Sequence, residues 1–595
     1  MGNDRRGGSC RWDCPGVVDR RRKCDCRGLL PARTAYDDLG RGAAAVAGPG
    51  GPACARHETG AGGRRRLHPG RLCRRWIHLR GCLQRGQRAA WGAAVIGVAA
   101  FQAVTPFGPG LLGLGQAAIV DDAAVLTAAG FLVFCVFAAL FARESGRERT
   151  RGRRLLFRAG VALQLLAATT LPFAADLLQF FILWELVSLG AVAILLCESG
   201  RLRLLRIYLP IQIAAAVALI VAIALHSVAA DGLLLPASGG LAAGQPFALF
   251  AVLVKAAVFP LHIWMVQTYP RVSPASTVIL SAFGTKSGVF AAYRLLPGLA
   301  GLELFGALSA LLAVLYALRQ RQLRPFLTFH IASQIGYMIA GIGGVAAASQ
   351  LAGVYHLSNH VMYKGLLLMT AAVLVRRFGT EDMYTIRSHG ASTNGPLFAA
   401  ALIGALAISG VPPFNGFVSK ALLKAHAGSA ASYWLMVAAS VGTAMSFTKF
   451  LWLAFLGGHI HKGVQDEAAP PLLKRWSGPA ELTAMGALAT LCISMTVLPV
   501  FLFPELQLAY PFSRASIIAG LWPAALGCAG YFLFYPQLLR VFKLLPDGRP
   551  AGQVSLEFAR GVIRTMRSLH SGDLRDSIAW MLTGLILVWL LTLVL

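Results

Sequence analysis

From about residue 92 the chain alternates apolar runs of roughly 20 residues with short polar connections. That run length is what a helix needs to cross a hydrocarbon layer about 30 Å thick. The pattern predicts helices near 92–115, 120–142, 155–174, 176–197, 205–226, 246–268, 276–296, 301–318, 326–346 and 353–375. Further helices are predicted near 395–424 (interrupted), 430–455, 478–502, 517–538 and 577–595. The expected fold class is an all-α polytopic membrane protein with about 14–16 transmembrane helices.

The connections have a pattern of their own. RESGRERTRGRR (143–154), GRLRLLR (200–206), RQRQLR (319–324), RRFGTEDMYTIR (376–387) and the long 539–575 segment are basic. HSVAADGLLLPASGGLAAG (226–244) and GGVAAASQ (343–350), which fall between them, are neutral. Basic loops stay on the cytoplasmic side. Their alternation puts all of them on one face and the C-terminus on the other.

Composition agrees: 56% of the 595 residues are hydrophobic and 14% charged, with a mean hydropathy of +0.62. A soluble domain carries about 25% charged residues. The formal charge of +29 would fit a nucleic-acid partner until it is mapped. Residues 1–90 hold 20 Lys+Arg against 7 Asp+Glu; the remaining 505 hold 35 against 19, mostly in short loops. Topology accounts for the second excess, so the expected surroundings are a lipid bilayer and no nucleic acid.

Residues 1–90 form a basic Cys/Gly/Arg-rich segment without helical or strand periodicity or the apolar core of a signal peptide. The expectation is a disordered extension or a stretch read from the wrong start or frame. Seven of the eleven cysteines fall there and the other four are scattered singly, so neither a disulfide framework nor a metal site is indicated. The expected organisation is this segment, N-terminal transmembrane helices at 91–142, an ion-translocating core at 143–460, and C-terminal transmembrane helices with a basic cytoplasmic loop at 461–595. No cofactor site is visible. GPGLLG (108–113) fits a dinucleotide fingerprint by letter but has no strand before it.

Charges inside membrane helices are costly, and each is by default a functional candidate. Here they form a series: Glu185 in FFILWELVSLG, Lys255 in AVLVKAAVFPLHIW, Lys286 in VILSAFGTKSGVFAAY, His356, His360 and Lys364 in VYHLSNHVMYKGLLL, and Lys420 in SGVPPFNGFVSK. His356, His360 and Lys364 stand at i, i+4 and i+8, so they line one helix face over about 12 Å. Titratable groups roughly 6 Å apart can hand protons along with water between them. Pro260 follows Lys255, and Pro412 and Pro413 precede Lys420. Prolines here free backbone carbonyls that must face protein or a wet cavity. The two breaks lie about five helices apart, which suits a five-helix repeat; interrupted helices at corresponding positions of two halves point to the ion path in transporters built from inverted repeats. Arg294 and Lys449, near helix ends, are expected to snorkel to the interface. Asp176 is expected to cap a helix, and His262 fits either packing or function.

These motifs resemble the antiporter-like subunits shared by respiratory complex I, membrane-bound hydrogenases and multisubunit Na+/H+ antiporters. The pieces that carry the likeness are LLQFFILWELVSL, VKAAVFPLHIW, TKSGVFAAYRL, RPFLTFHIASQIGYM, HLSNHVMYKGLL and SGVPPFNGFVSK, spanning about residues 120–460. The resemblance implies two inverted five-helix repeats. It makes Glu185 and Lys255 a modulating pair, Lys286, His356, His360 and Lys364 a central relay, and Lys420 the exit residue. It also implies a proton-translocating subunit of a complex I-like or hydrogenase-like respiratory assembly, without a redox site of its own. The alternative is a component of a multisubunit Na+/H+ antiporter without electron transfer. Either would work with other membrane subunits in a bacterial inner membrane, moving protons, with Na+ as a further candidate ion. The sequence departs from the family pattern at MVQTYP after PLHIW, where a Leu-Pro-Asp stretch is usual, and in having no counterpart of the family's first helix.

Overall fold

A computed structural model describes residues 119–145, 150–235, 239–388, 394–456, 477–496 and 513–542. The predicted helices at 92–115 and 577–595, the 1–90 segment and most of the 539–575 loop lie outside these residues.

Sixteen α-helices are described: α1 (Asp122–Ser145), α2 (Arg151–Thr170), α3 (Leu177–Leu196), α4 (Arg201–Ala230), α5 (Gln245–Ala256), α6 (Ile263–Thr268), α7 (Pro274–Leu295), α8 (Leu302–Arg319), α9 (Leu323–Gly343), α10 (Ala347–Phe378), α11 (Met383–Ser388), α12 (Gly395–Ser409), α13 (Asn415–Ala425), α14 (Ala430–Leu451), α15 (Pro479–Ser494) and α16 (Arg514–Phe542). Each predicted apolar run within the described residues is a helix or a broken pair. Eight are long and apolar enough to cross a membrane. Of the rest, α11 and α15 are short, and the others fall short for a physical reason. α7 and α10 carry lysines and histidines in their interiors, while α5/α6 and α12/α13 are each split in two.

Backbone and side-chain bonds tie the connections into two opposite faces. On the basic face, Leu323 N–H donates to Glu381 O and Met383 N–H to Arg321 O, around a bridge between Gln322 and Asp382. Arg324 pairs with Glu381 there and donates to Val272 O, while Cys197 reaches Arg153 O. On the neutral face, Leu177 N–H donates to Leu233 O, Gly240 N–H to Arg294 O and Gly298 N–H to Ile342 O. Among the described residues, the loops predicted to share the basic side therefore do meet, and the crossings alternate as expected.

α2 to α7 make five crossings, with α5/α6 the fourth; α8 to α14 make five more, with α12/α13 the fourth. Five is odd, so the second set starts from the opposite face and the two broken helices run antiparallel. This is the inverted repeat.

Tight packing holds the sets together. Lipid supplies no hydrophobic drive for helix association, so small residues that let backbones approach matter most. Gly306 and Ala310 on α8 face Gly336 and Ala340 on α9, and a Cβ on Gly336 would lie 2.5 Å from Ala310 N. Replacing Gly336 by leucine is expected to cost about 1–3 kcal/mol through overpacking, seen as a lower melting temperature of the purified protein in detergent. Gly336→Ala should shift it less, in the same direction.

Candidate ion pathway

The two breaks are built alike. α5 ends where Ala257 enters the left-handed region (φ 58°) ahead of Pro260, and the carbonyl of Val254 is taken by Trp264 Nε1 at 2.8 Å. Ser309 accepts the Phe259 N–H. α12 ends at Gly410 (φ 75°) ahead of Pro412 and Pro413, and its Ile408 carbonyl accepts from Lys420 Nζ at 2.8 Å. Thr496 donates to Pro413 O. Side chains thus satisfy backbone groups that each break releases, as the membrane interior requires. Both lysines sit at a half-helix C-terminus, the negative end of its dipole: Lys255 on the last turn of α5, Lys420 reaching back from α13 to α12.

Lys255 is 1% exposed. Its ammonium donates to the Ser188 hydroxyl and to the Trp184 carbonyl, and lies 4.7 Å from the Trp184 ring. Ser188 and Trp184 flank Glu185 on α3, yet Glu185 and Lys255 make no direct ion pair, and Glu185 Oε1 is buried without a hydrogen-bond partner among the described residues. The implied pair is therefore neighbouring but unclasped, with Ser188 holding the cation. Gly288 on α7 lets the end of α5 come this close, since a Cβ there would meet Ala256 N at 2.5 Å.

Lys286, fully buried on α7, donates to Ser281 O at 2.8 Å and to the Thr285 hydroxyl at 3.1 Å. α10 is one unbroken helix against α7, so Lys364, His360 and His356 form the expected row, all buried. Lys364 Nζ and both ring nitrogens of His360 have no hydrogen-bond partner among the described residues. His356 is held at both nitrogens, by Ser419 at 2.8 Å and by Gln334 at 3.2 Å, with the Tyr363 hydroxyl 3.4 Å from Nε2. Ser419 adjoins Lys420, whose ammonium lies 4.6 Å from the Tyr337 ring. A clasp of Asn359 and Asn415 fixes α13 against α10 beside this junction. Lys364, His360 and His356 thus share one buried face of α10, which meets the second break through Ser419 beside Lys420, and α7, with the buried Lys286, packs against the same helix.

Two expectations fail. Arg294 does not snorkel; it forms a two-pronged pair with Asp121 (2.6 and 3.0 Å) and donates to Pro172 O. Lys449 is fully buried and donates to Leu318 O and Gln320 O at 2.8 and 2.7 Å. Asp176 caps α3 as expected, accepting from Gln179 N–H at 2.7 Å. His262 is packed between the rings of Phe259 and Phe329. Sequence reasoning passed over Ser188, Gln334, Ser419 and the buried His330.

Residues 174–446 match the family described as NADH:quinone oxidoreductase/Mrp antiporter, transmembrane. Hydrogenase-4 component B of Escherichia coli is 27% identical over 315 residues, covering 46% of this chain and 45% of that protein. A Na(+)/H(+) antiporter subunit of Alkalihalophilus pseudofirmus is 33% identical over 194 residues, 29% of this chain and 24% of that protein. The chain spans less than half the length of these relatives. A chain of the Mrp complex from Dietzia sp. shares the fold at TM-score 0.58 and 22% identity, over 78% of this chain and 95% of that one. A chain of the membrane-bound sulfane sulfur reductase, an archaeal respiratory membrane complex, does so at TM-score 0.57 and 22% identity, over 71% and 86%. Six ordered motifs, two broken helices five crossings apart and a matched segment covering both breaks lead to one conclusion: residues 174–446 are similar to the transmembrane family described for NADH:quinone oxidoreductase and Mrp antiporters.

Proposed function

We propose that the chain is a proton-translocating membrane subunit of a respiratory assembly of the complex I or hydrogenase type, working beside other membrane subunits in a bacterial inner membrane. The observation that carries this reading is the buried strip centred on α10, in which Lys364 and His360 have no hydrogen-bond partner among the described residues while their neighbours are bonded. Buried polar groups of this kind are normally satisfied by ordered water. A cation, an imidazole and water one helical turn apart can pass a proton along the helix face. In this reading Glu185 and Lys255 modulate uptake, Lys286, Lys364, His360 and His356 carry the charge through the membrane's middle, and Lys420 delivers it. Residues 143–460 form the translocating core.

Exchange of Na+ for H+ without electron transfer is the second reading, favoured by the likeness to the Na(+)/H(+) antiporter subunit of Alkalihalophilus pseudofirmus. Vesicles carrying the intact assembly separate the two. Redox turnover should acidify the vesicle interior at a rate unchanged by Na+. Acidification that starts only when a Na+ gradient is imposed would move the chain to the antiporter class. Flux under neither driver would remove both readings.

A further inference from the structure

We propose that Lys424 takes the proton from Lys420 and releases it towards the neutral face. The proposal rests on the relay reading above and adds one residue to it.

Lys420 and Lys424 stand at i and i+4 on α13, so they share one helix face about 6 Å apart along the axis. Each amine rests on a carbonyl that a proline has left without its helical donor. Lys420 donates to Ile408 O, and the residue four further on is Pro412, which has no N–H. Lys424 donates to Ala519 O on α16 at 3.1 Å, and the residue four further on is Pro523, inside that helix. A carbonyl freed in this way within a membrane segment must find a donor elsewhere. α13 thus carries the same device twice in succession, first for the relay's last assigned residue and then for its neighbour.

The two devices meet at Gly410. A Cβ on Gly410 would lie 3.1 Å from Lys420 Cδ, and a Cβ on Gly520, the residue after Ala519, would lie 3.4 Å from Gly410 O. α16 is therefore pressed against the end of α12, and the carbonyl that holds Lys424 adjoins the turn against which Lys420 lies. Exposure rises along the same line. Lys420 is 3% exposed, Lys424 is half-buried, and Ala425 and Gly428 are exposed. Gly428 N–H donates at 2.8 Å to Glu303, in the first turn of α8, which fixes this end of α13 on the neutral face. Lys424 is thus one turn nearer to water than Lys420. An amine can donate an N–H to a carbonyl whether it is charged or neutral, so each lysine keeps its carbonyl as the charge passes. One N–H bond breaks at Lys420 Nζ, one forms at Lys424 Nζ, and the proton then goes to water at the neutral face.

The test uses vesicles carrying the intact assembly, with Lys424→Gln, Lys424→Arg and Lys420→Ala beside the native chain, and assembly measured in each preparation. Both replacements at 424 can donate to Ala519 O. Glutamine carries no proton, while arginine keeps the charge and does not give its proton up. Flux in each should fall about 100-fold, the lower end of what a positioned proton-transferring side chain contributes. A lysine that only ties α13 to α16 would be replaced by either without loss, and one that acts only through its charge would be replaced by arginine. Native flux in either variant therefore overturns the proposal. If one variant fails to assemble, the other decides; failure of both marks Lys424 as structural and overturns it as well. Loss in Lys420→Ala with native flux in the Lys424 variants leaves the relay standing without this step, whereas native flux in Lys420→Ala removes the relay itself.

Discussion

Replacing Lys420 by alanine should reduce proton flux by at least about 100-fold while the assembly forms in normal amounts. The two halves of this expectation come from separate terms. Lys420 is 3% exposed and, among the described residues, has no carboxylate partner; its ammonium donates to the Ile408 carbonyl and lies over the Tyr337 ring. An uncompensated charge in the membrane interior costs roughly 2.5–3.5 kcal/mol even on the lenient insertion scales. Removing it orphans the Ile408 carbonyl, which costs about 1–3 kcal/mol. The two terms nearly cancel, so folding should be indifferent. Function should not be, because the strip then ends at His356 and Ser419, and the amine next to them in line for the proton is gone. Flux is read as acidification of oriented vesicles, and assembly as the amount of intact complex on a native gel. Normal flux with normal assembly would sink the relay; loss of both together would mark Lys420 as structural.

How much of this could be read in the residues depends on the kind of signal. Helix positions were legible because lipid forces 20-residue apolar runs, and the breaks because proline cannot sit unnoticed in such a run. The α10 row was legible because i, i+4, i+8 spacing fixes a face whatever surrounds it. Partners contributed by other helices were not legible. Ser188 is one hydroxyl in an apolar helix, and only the fold brings it to Lys255 from 67 residues away. Asp121 finds Arg294 across 173 residues, so distance from a helix end misled the reading of that arginine. Lys449 was misjudged for a similar reason. α14 runs on into a π-helical turn over Trp452–Leu456, which sets the lysine against the end of α8 and beside the Tyr535 ring. His330 did carry a faint signal, a histidine with Phe326 one turn before it and Gln334 one turn after, in a run otherwise nearly all apolar.

The second large effect concerns Glu185 and Lys255, and its signature is non-additivity. Lys255→Met should lower flux by about 100-fold and Glu185→Gln by about tenfold, yet the double variant should be no slower than Lys255→Met alone. Opposite unit charges within about 6 Å, in surroundings of effective dielectric about 20, interact by roughly 3 kcal/mol. That is enough for the carboxylate to decide how firmly Lys255 holds its proton. Once the ammonium is gone, Glu185 has nothing left to modulate, and its removal changes nothing further. The geometry adds a refinement. Lys255 is clasped by Ser188 and the Trp184 carbonyl, while Glu185 Oε1 is unbonded among the described residues. The interaction is therefore one through space, poised so that the ammonium can be drawn from the hydroxyl towards the carboxylate. Ser188→Ala removes the competing clasp and should enlarge the coupling measured in the Glu185/Lys255 cycle. Losses that simply add would mean the two charges act independently, and an unchanged cycle in the Ser188→Ala background would remove the serine from the switch.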